Sequence, residues 1–288
     1  MKFLKMKQGL LLVAAVFFTV FSYAQDAAEK INQANEALKA KDYAKAFTLY
    51  DEAMKNIGDV QVDASINYNI GYAACESGNV EGAVKYMGKA IEAGVNVSKC
   101  HENLADLYVS KKDYANAIAS YDKAIATATE NADVIVFKAA SAAYNGNALD
   151  KAIEGFDKCI QKGYKGETAT FYKATILKKQ GKDADYKATL EEGVVKFPGD
   201  AKIAPALAKI YVGEGNELYK KGAAIVGDAN KKVTAGTLKT DAPAYIAEVE
   251  KSKVEFKAAI AILEKAKALD PSNANVQKLL DACAAASK

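Results

Sequence analysis

A small side chain returns along this chain at an almost fixed interval. Ala34, Gly71, Ala105, Ala140, Ala174 and Ala208 are separated by 37, 34, 35, 34 and 34 residues. Twelve residues after each of the first four stands another alanine, at Ala46, Ala83, Ala117 and Ala152. Four further on comes a large side chain (Tyr50, Met87, Tyr121, Phe156), and three beyond that a small one again (Ala53, Ala90, Ala124, Cys159). Within each half-unit the apolar positions fall at i, i+3, i+4 and i+7, the period of a helix. Asp42, Gly78, Asp113, Gly146 and Gly181 lie between the half-units, where turn formers belong. Each unit therefore reads as two helices joined by a short turn. Small residues suit helix crossings because only Gly or Ala lets the backbones approach, and the large residue fills the adjacent gap.

The sixth unit breaks the spacing. Its first helix should begin near Ala201, yet a matching second-helix signature (Ala259, Leu263, Ala266, Pro271) arrives some 40 residues late. Between them run Ile210, Tyr211, Leu218, Tyr219, Ile225 and Val226, then a polar stretch from Gly227 to Pro243. Tyr245, Val249, Ser252, Phe256, Ala259 and Leu263 then resume a helical stripe. This pattern predicts two elongated helices in an antiparallel hairpin. A break at Gly213 and Gly215 with an extra short helix is the alternative, although mid-helix glycine costs only about 1 kcal/mol. Residues 275–286 read as a last helix covering the exposed apolar face.

The repeat resembles the tetratricopeptide repeat family, whose unit of about 34 residues reads W-x2-L-G-x2-Y, then A-x3-F, then P. The best matches are Tyr68-Asn69-Ile70-Gly71 through Gly78 to Ala83, and Asn103-Leu104-Ala105 with Tyr108, Asp113-Tyr114, Ala117-Ile118, Tyr121 and Ala124. The closing proline recurs in Phe197-Pro198 and in Asp270-Pro271. Lys30, Asn67, His101, Val136, Thr170 and Ala204 stand at the tryptophan position, and Tyr186 replaces an expected alanine in unit five. The resemblance spans roughly residues 27–273. It implies an all-α, right-handed α-solenoid of about six helix hairpins, the last elongated, with a C-terminal capping helix. The expected division is 25–200 for units one to five, 201–273 for the irregular sixth and 274–288 for the cap.

Residues 1–24 read as a signal peptide. Met1–Gln8 is basic, Leu10–Phe21 is apolar, and Ser22-Tyr23-Ala24 places small residues at the −3 and −1 positions before Gln25. The apolar run is 12 residues, short of the roughly 20 needed to span a bilayer. Cleavage there would leave an exported mature chain, periplasmic or secreted, with no transmembrane segment. It would also remove Lys2, Lys5 and Lys7, turning 39 Lys and Arg against 36 Asp and Glu into an even balance. A neutral mature chain argues against nucleic acid as the main partner.

Catalytic sets are hard to assemble here. His101 is the only histidine, there is no tryptophan, and the four cysteines show neither CxxC nor zinc spacing. Cys75 and Cys100 are offset by about 13 Å along their helices, beyond the reach of about 7 Å between Cα atoms that a disulfide allows. Buried thiols are expected at Cys75, Cys100, Cys159 and Cys283. No glycine-rich phosphate loop is present. A non-enzymatic protein without cofactor or metal is the expectation.

What remains is a surface. The family resemblance implies a concave face lined by the first helix of each unit, here Ile31, Asn35, Leu38, Tyr68, Tyr72, Glu102, Asp106, Phe137, Tyr144, Phe171, Lys178, Lys202 and Lys209. The partner-binding candidates within it are Asn35, Tyr68, Tyr72, Asp106, Phe137, Tyr144, Phe171 and Lys178. Aromatic residues on such a surface serve as anchors for a protein or peptide partner, or else as core between repeats. Some relatives grip C-terminal carboxylates with two Asn and three basic residues. Asn35, Asn69 and Lys99 fit that pattern, while Ile31 and Asn103 replace two of its cations. Glycan binding and a structural role in a cell-envelope assembly are the alternatives to an adaptor.

Overall fold

The computed structural model describes residues 25–58 and 61–288, and every described element is helical. The leader reading falls on residues 1–24, outside the described residues. In chain order the helices are α1 (25–39), α2 (Tyr43–Lys55), α3 (Ser65–Ser77), α4 (Val80–Glu92), α5 (Val97–Ser110) and α6 (Tyr114–Thr127). They continue as α7 (Ala132–Asn145), α8 (Leu149–Lys162), α9 (Gly166–Lys179), α10 (Asp183–Lys196), α11 (Ile203–Thr234), α12 (Pro243–Leu269) and α13 (Ala274–Ala286). Six pairs and a final helix result. The chain forms two compact units, the first running to Lys158 and the second starting at Cys159, so the division falls within α8.

In the first unit every residue of the repeat signature is buried. Ala34, Ala105, Ala46, Ala83, Ala117, Ala53, Ala90 and Ala124 are inaccessible, as are Tyr50 and Met87. The crossings are as tight as the spacing requires. A Cβ on Gly71 would lie 2.8 Å from Met87 Cγ, and one on Gly155 would lie 2.7 Å from the Ala140 Cβ. Three buried clusters follow one another from α1 to α7. They share margins rather than merge: Phe47 packs against the first two and Tyr108 against the last two. Contacts between neighbouring repeats replace a single central core.

Turns are set by side-chain caps and by one left-handed residue per hairpin. Asp42, Asn79 and Asp113 accept hydrogen bonds from the N–H groups of Lys45, Gly82 and Asn116, capping α2, α4 and α6. The positive-φ residue recurs with the repeat, at Lys41, Gly78, Lys112, Asn147 and Gly181. Gly146 lies in the α7–α8 turn as expected, with φ of −81°, and the left-handed conformation there belongs to Asn147.

The second unit is built round one cluster uniting Ala174, Leu190, Ile203, Leu207, Tyr211, Leu263 and Ala266 with Val276, Leu280 and Cys283 of α13. The last hairpin is elongated, with α11 spanning 32 residues and α12 spanning 27. Gly213 and Gly215 do not break α11. Gly215 and Gly222 lie against Leu263 and Phe256, where a Cβ would come within 2.6 and 2.9 Å. The polar stretch from Gly227 is also less of a loop than its composition suggests, because α11 continues to Thr234. Ala229, buried seven residues after Gly222, keeps the seam going.

Candidate functional site

On α3 of the first unit, Tyr68 and Tyr72 lie one turn apart with nearly parallel rings, centroids 6.4 Å apart and planes at 9°. Tyr43, the first residue of α2, meets Tyr72 edge-on at 5.8 Å. The Asn103 amide on α5 donates to the Tyr68 hydroxyl at 3.5 Å. All three tyrosines are half-buried. Burial pushes the Tyr72 phenol up to about 12, with help from its hydrogen bond to Tyr43. Burial raises the Tyr68 phenol as well, so Tyr68 and Tyr72 are neutral and present both apolar faces and hydroxyls.

Next to this patch, α5 and α7 hold a charged network. Glu102 is buried and accepts from Lys99 and Lys138, each at 2.8 Å. Lys138 also donates to Asp106 at 2.7 Å, and the Tyr121 hydroxyl donates to the same carboxylate. Desolvation would raise the Glu102 pKa, but hydrogen bonds from Lys138 and Lys99 outweigh it and leave the group below its ordinary value. The cations of this face thus have carboxylates of their own.

The expected site residues meet different fates. Tyr68 and Tyr72 come together. Asn35 accepts the Tyr50 hydroxyl at 2.5 Å, and Asp106 does the same for Tyr121, so both serve a buried tyrosine of their own hairpin. Asn35 and Lys99, two members of the carboxylate-gripping pattern, thus already have partners within the chain. Phe137 is half-buried and packs edge-on against Phe156 at 5.9 Å. Tyr144 is half-buried near the end of α7. In the second unit, Phe171 is half-buried against the core, and Lys178 is exposed and pairs with Asp183.

Tyr43 and Lys138 were not among the expected residues. A sequence signal existed for the tyrosine partners: where the large second-helix position is Tyr50 or Tyr121, the residue 15 places earlier is Asn35 or Asp106. Where it is Met87 or Phe156, that residue is Tyr72 or Ser141.

All four cysteines are buried, and burial pushes the thiols of Cys75 and Cys100 up to about 12 and about 11. His101 is half-buried, with its pKa lowered by burial and by Lys123. Among the described residues no group of three or more His, Cys, Asp or Glu could hold a metal, and no helix is long and apolar enough to cross a membrane. Charge is unevenly shared: residues 25–158 hold 14 Lys against 20 Asp and Glu, and residues 159–288 hold 22 Lys against 16.

A succession of helix pairs with small residues buried at their crossings defines a helical-repeat protein. Residues 64–93 and 98–131, the α3–α4 and α5–α6 pairs, match the tetratricopeptide repeat family model. Over those residues the chain is similar to tetratricopeptide repeats. No curated protein matches it. Among solved structures it is similar to the C-terminal part of a repeat-containing protein from Cytophaga hutchinsonii, with 16% identity, 97% of each chain covered and a TM-score of 0.48. It is also similar to a repeat protein from Parabacteroides merdae (18% identity, 90% of this chain and 99% of that one, TM-score 0.47). A third, from Bacteroides fragilis, has 21% identity, 90% and 98% coverage and a TM-score of 0.36.

Proposed function

We propose that this chain is an exported, non-enzymatic adaptor that binds a protein or extended peptide on the face formed by α3 and α5. The observation that carries the reading is the cluster of Tyr43, Tyr68 and Tyr72, in which Tyr72 meets both other rings and all three remain partly open to solvent. Tyrosine supplies large contact area at small entropic cost, which is why it recurs at binding hot spots. The tetratricopeptide repeats support the interaction role. The basic n-region, short apolar run and Ser22-Tyr23-Ala24 support export, with a mature chain that would begin at Gln25.

Pull-down from an envelope extract tests the binding. Tyr72→Ala should weaken capture of the partner roughly tenfold, about 1.4 kcal/mol, while the helical far-UV signal is kept. Undiminished capture by folded Tyr68→Ala/Tyr72→Ala would sink the reading. N-terminal sequencing tests export: a mature protein beginning at Gln25 is expected, and soluble cytosolic protein beginning at Met1 would refute it.

A further inference from the structure

The second unit carries a basic face that differs in kind from the charged network of the first. Lys202, the residue preceding α11, holds its ammonium 5.6 Å from the centre of the Phe171 ring on α9. Lys209 follows seven residues later on α11, and both lysines are exposed. Neither has a carboxylate within salt-bridge distance among the described residues. Lys178 follows Phe171 by seven on α9 and is already paired with Asp183. Asp200, the acid nearest Lys202 in sequence, accepts the backbone N–H groups of Lys202 and Ile203. In the first unit, by contrast, Lys99 and Lys138 are neutralised by Glu102 and Asp106. The surplus of six lysines over acids in residues 159–288 gives this unit a positive field, and Lys202 and Lys209 are two places where it is left open.

We infer that the α9–α11 face of the second unit docks an acidic segment of a partner protein, with carboxylates on Lys202 and Lys209 and an apolar side chain on Phe171. This rests on the adaptor reading and adds the chemistry of the partner. Seven helical residues advance about 10 Å, and a peptide in the polyproline II conformation covers about the same distance in three residues, which also returns its side chain to the same face. Carboxylates three residues apart therefore match the two ammonium groups. Two separate positive charges, one of them beside an aromatic ring, match an acidic peptide that also carries an apolar side chain.

The probe is a fluorescein-labelled Gly/Ser peptide of 12 residues with glutamate at every third position and one phenylalanine. Its anisotropy is titrated with the mature chain at 50 mM salt. Saturable binding is expected, weakened at least tenfold in Lys202→Glu/Lys209→Glu and to a lesser degree in Lys202→Gln/Lys209→Gln. Lys220→Glu, at a lysine already paired with Glu217, should change it less than twofold. The same peptide with lysine for glutamate should not bind. Equal binding of the lysine peptide, or indifference to the Lys202 and Lys209 changes, would overturn the assignment. Tighter binding of a 12-nucleotide oligothymidylate would overturn it in favour of a nucleic-acid site. Low-salt sedimentation showing self-association abolished by the same charge reversal would overturn it in favour of the acidic unit of a second copy. The two readings fail separately: loss of the extract partner with Tyr72→Ala but not with Lys202→Glu/Lys209→Glu sinks only this one, and the reverse sinks only the tyrosine site.

Discussion

Lys41 and Lys112 are non-glycine residues with φ of 61° and 60°, in the same turn position that Gly78 and Gly181 fill with φ of 77° and 72°. A side chain in the left-handed region costs roughly 1–2 kcal/mol through the clash of Cβ with the following carbonyl, and glycine avoids it. Glycine also loses more freedom on folding, so the two effects partly cancel. Lys112→Gly should therefore raise stability by about 0.5–1 kcal/mol, and Gly78→Ala should lower it by a similar amount, read from urea midpoints. A second residue-scale expectation concerns acid. Asp51 accepts hydrogen bonds from Lys55, Lys85 and the Tyr86 hydroxyl. Desolvation opposes ionisation, yet these partners hold the carboxyl at about 2. A depressed folded-state pKa gives stability that is complete above the ordinary aspartate range, near pH 4, and lost as the pH falls toward 2. Asp51→Asn should flatten the fall in melting temperature between pH 5 and pH 2.5; an unchanged slope would remove Asp51 from the account.

At the scale of the helix, α11 separates two kinds of glycine. Gly215 and Gly222 face Leu263 and Phe256 at contact distance, whereas Gly213 and Gly227 have nothing near where a Cβ would stand. Gly213→Ala and Gly227→Ala should each stabilise the protein by roughly 0.5–1 kcal/mol, the helix propensity of alanine over glycine. Gly215→Ala should cost about 1–3 kcal/mol by overpacking the seam. Equal effects at Gly213 and Gly215 would contradict the hairpin geometry. The hairpins themselves were legible in sequence because the crossing demands a small residue and its partner a large one, and both recur visibly. The end of α11 was not legible, because Gly227, Asp228, Asn230 and two lysines have loop composition, and only the seven-residue seam through Ala229 reveals the continuation. The tyrosine patch was half legible: helical spacing joined Tyr68 to Tyr72, but Tyr43 belongs to another hairpin. The hydrogen bonds that Asn35 and Asp106 accept from Tyr50 and Tyr121 were not legible, because those tyrosines lie 15 residues away and spacing within one helix does not show the pairing.

Across the whole chain, even counts of charge conceal segregation. From residue 25 onward the lysines and acids balance, yet residues 25–158 carry a deficit of six lysines and residues 159–288 an equal surplus. Net charge governs long-range behaviour only at distances beyond the separation of the charges; closer in, each unit presents its own sign. A chain with evenly mixed charge and zero net charge would pass unretained through either kind of ion-exchange resin. This one should be held by both at pH 7.5 and low salt, on an anion exchanger through its first unit and on a cation exchanger through its second. Because the Debye length falls to about 10 Å at 0.1 M salt, elution from either should need only modest ionic strength. Lys202→Glu/Lys209→Glu lowers the surplus of the second unit by four charges and should advance elution from the cation exchanger, while retention on the anion exchanger is kept or strengthened. Flow-through on both resins would mean that the two signs are interleaved at the surface, and the segregation read from the sequence would then have no consequence for how the molecule meets a partner.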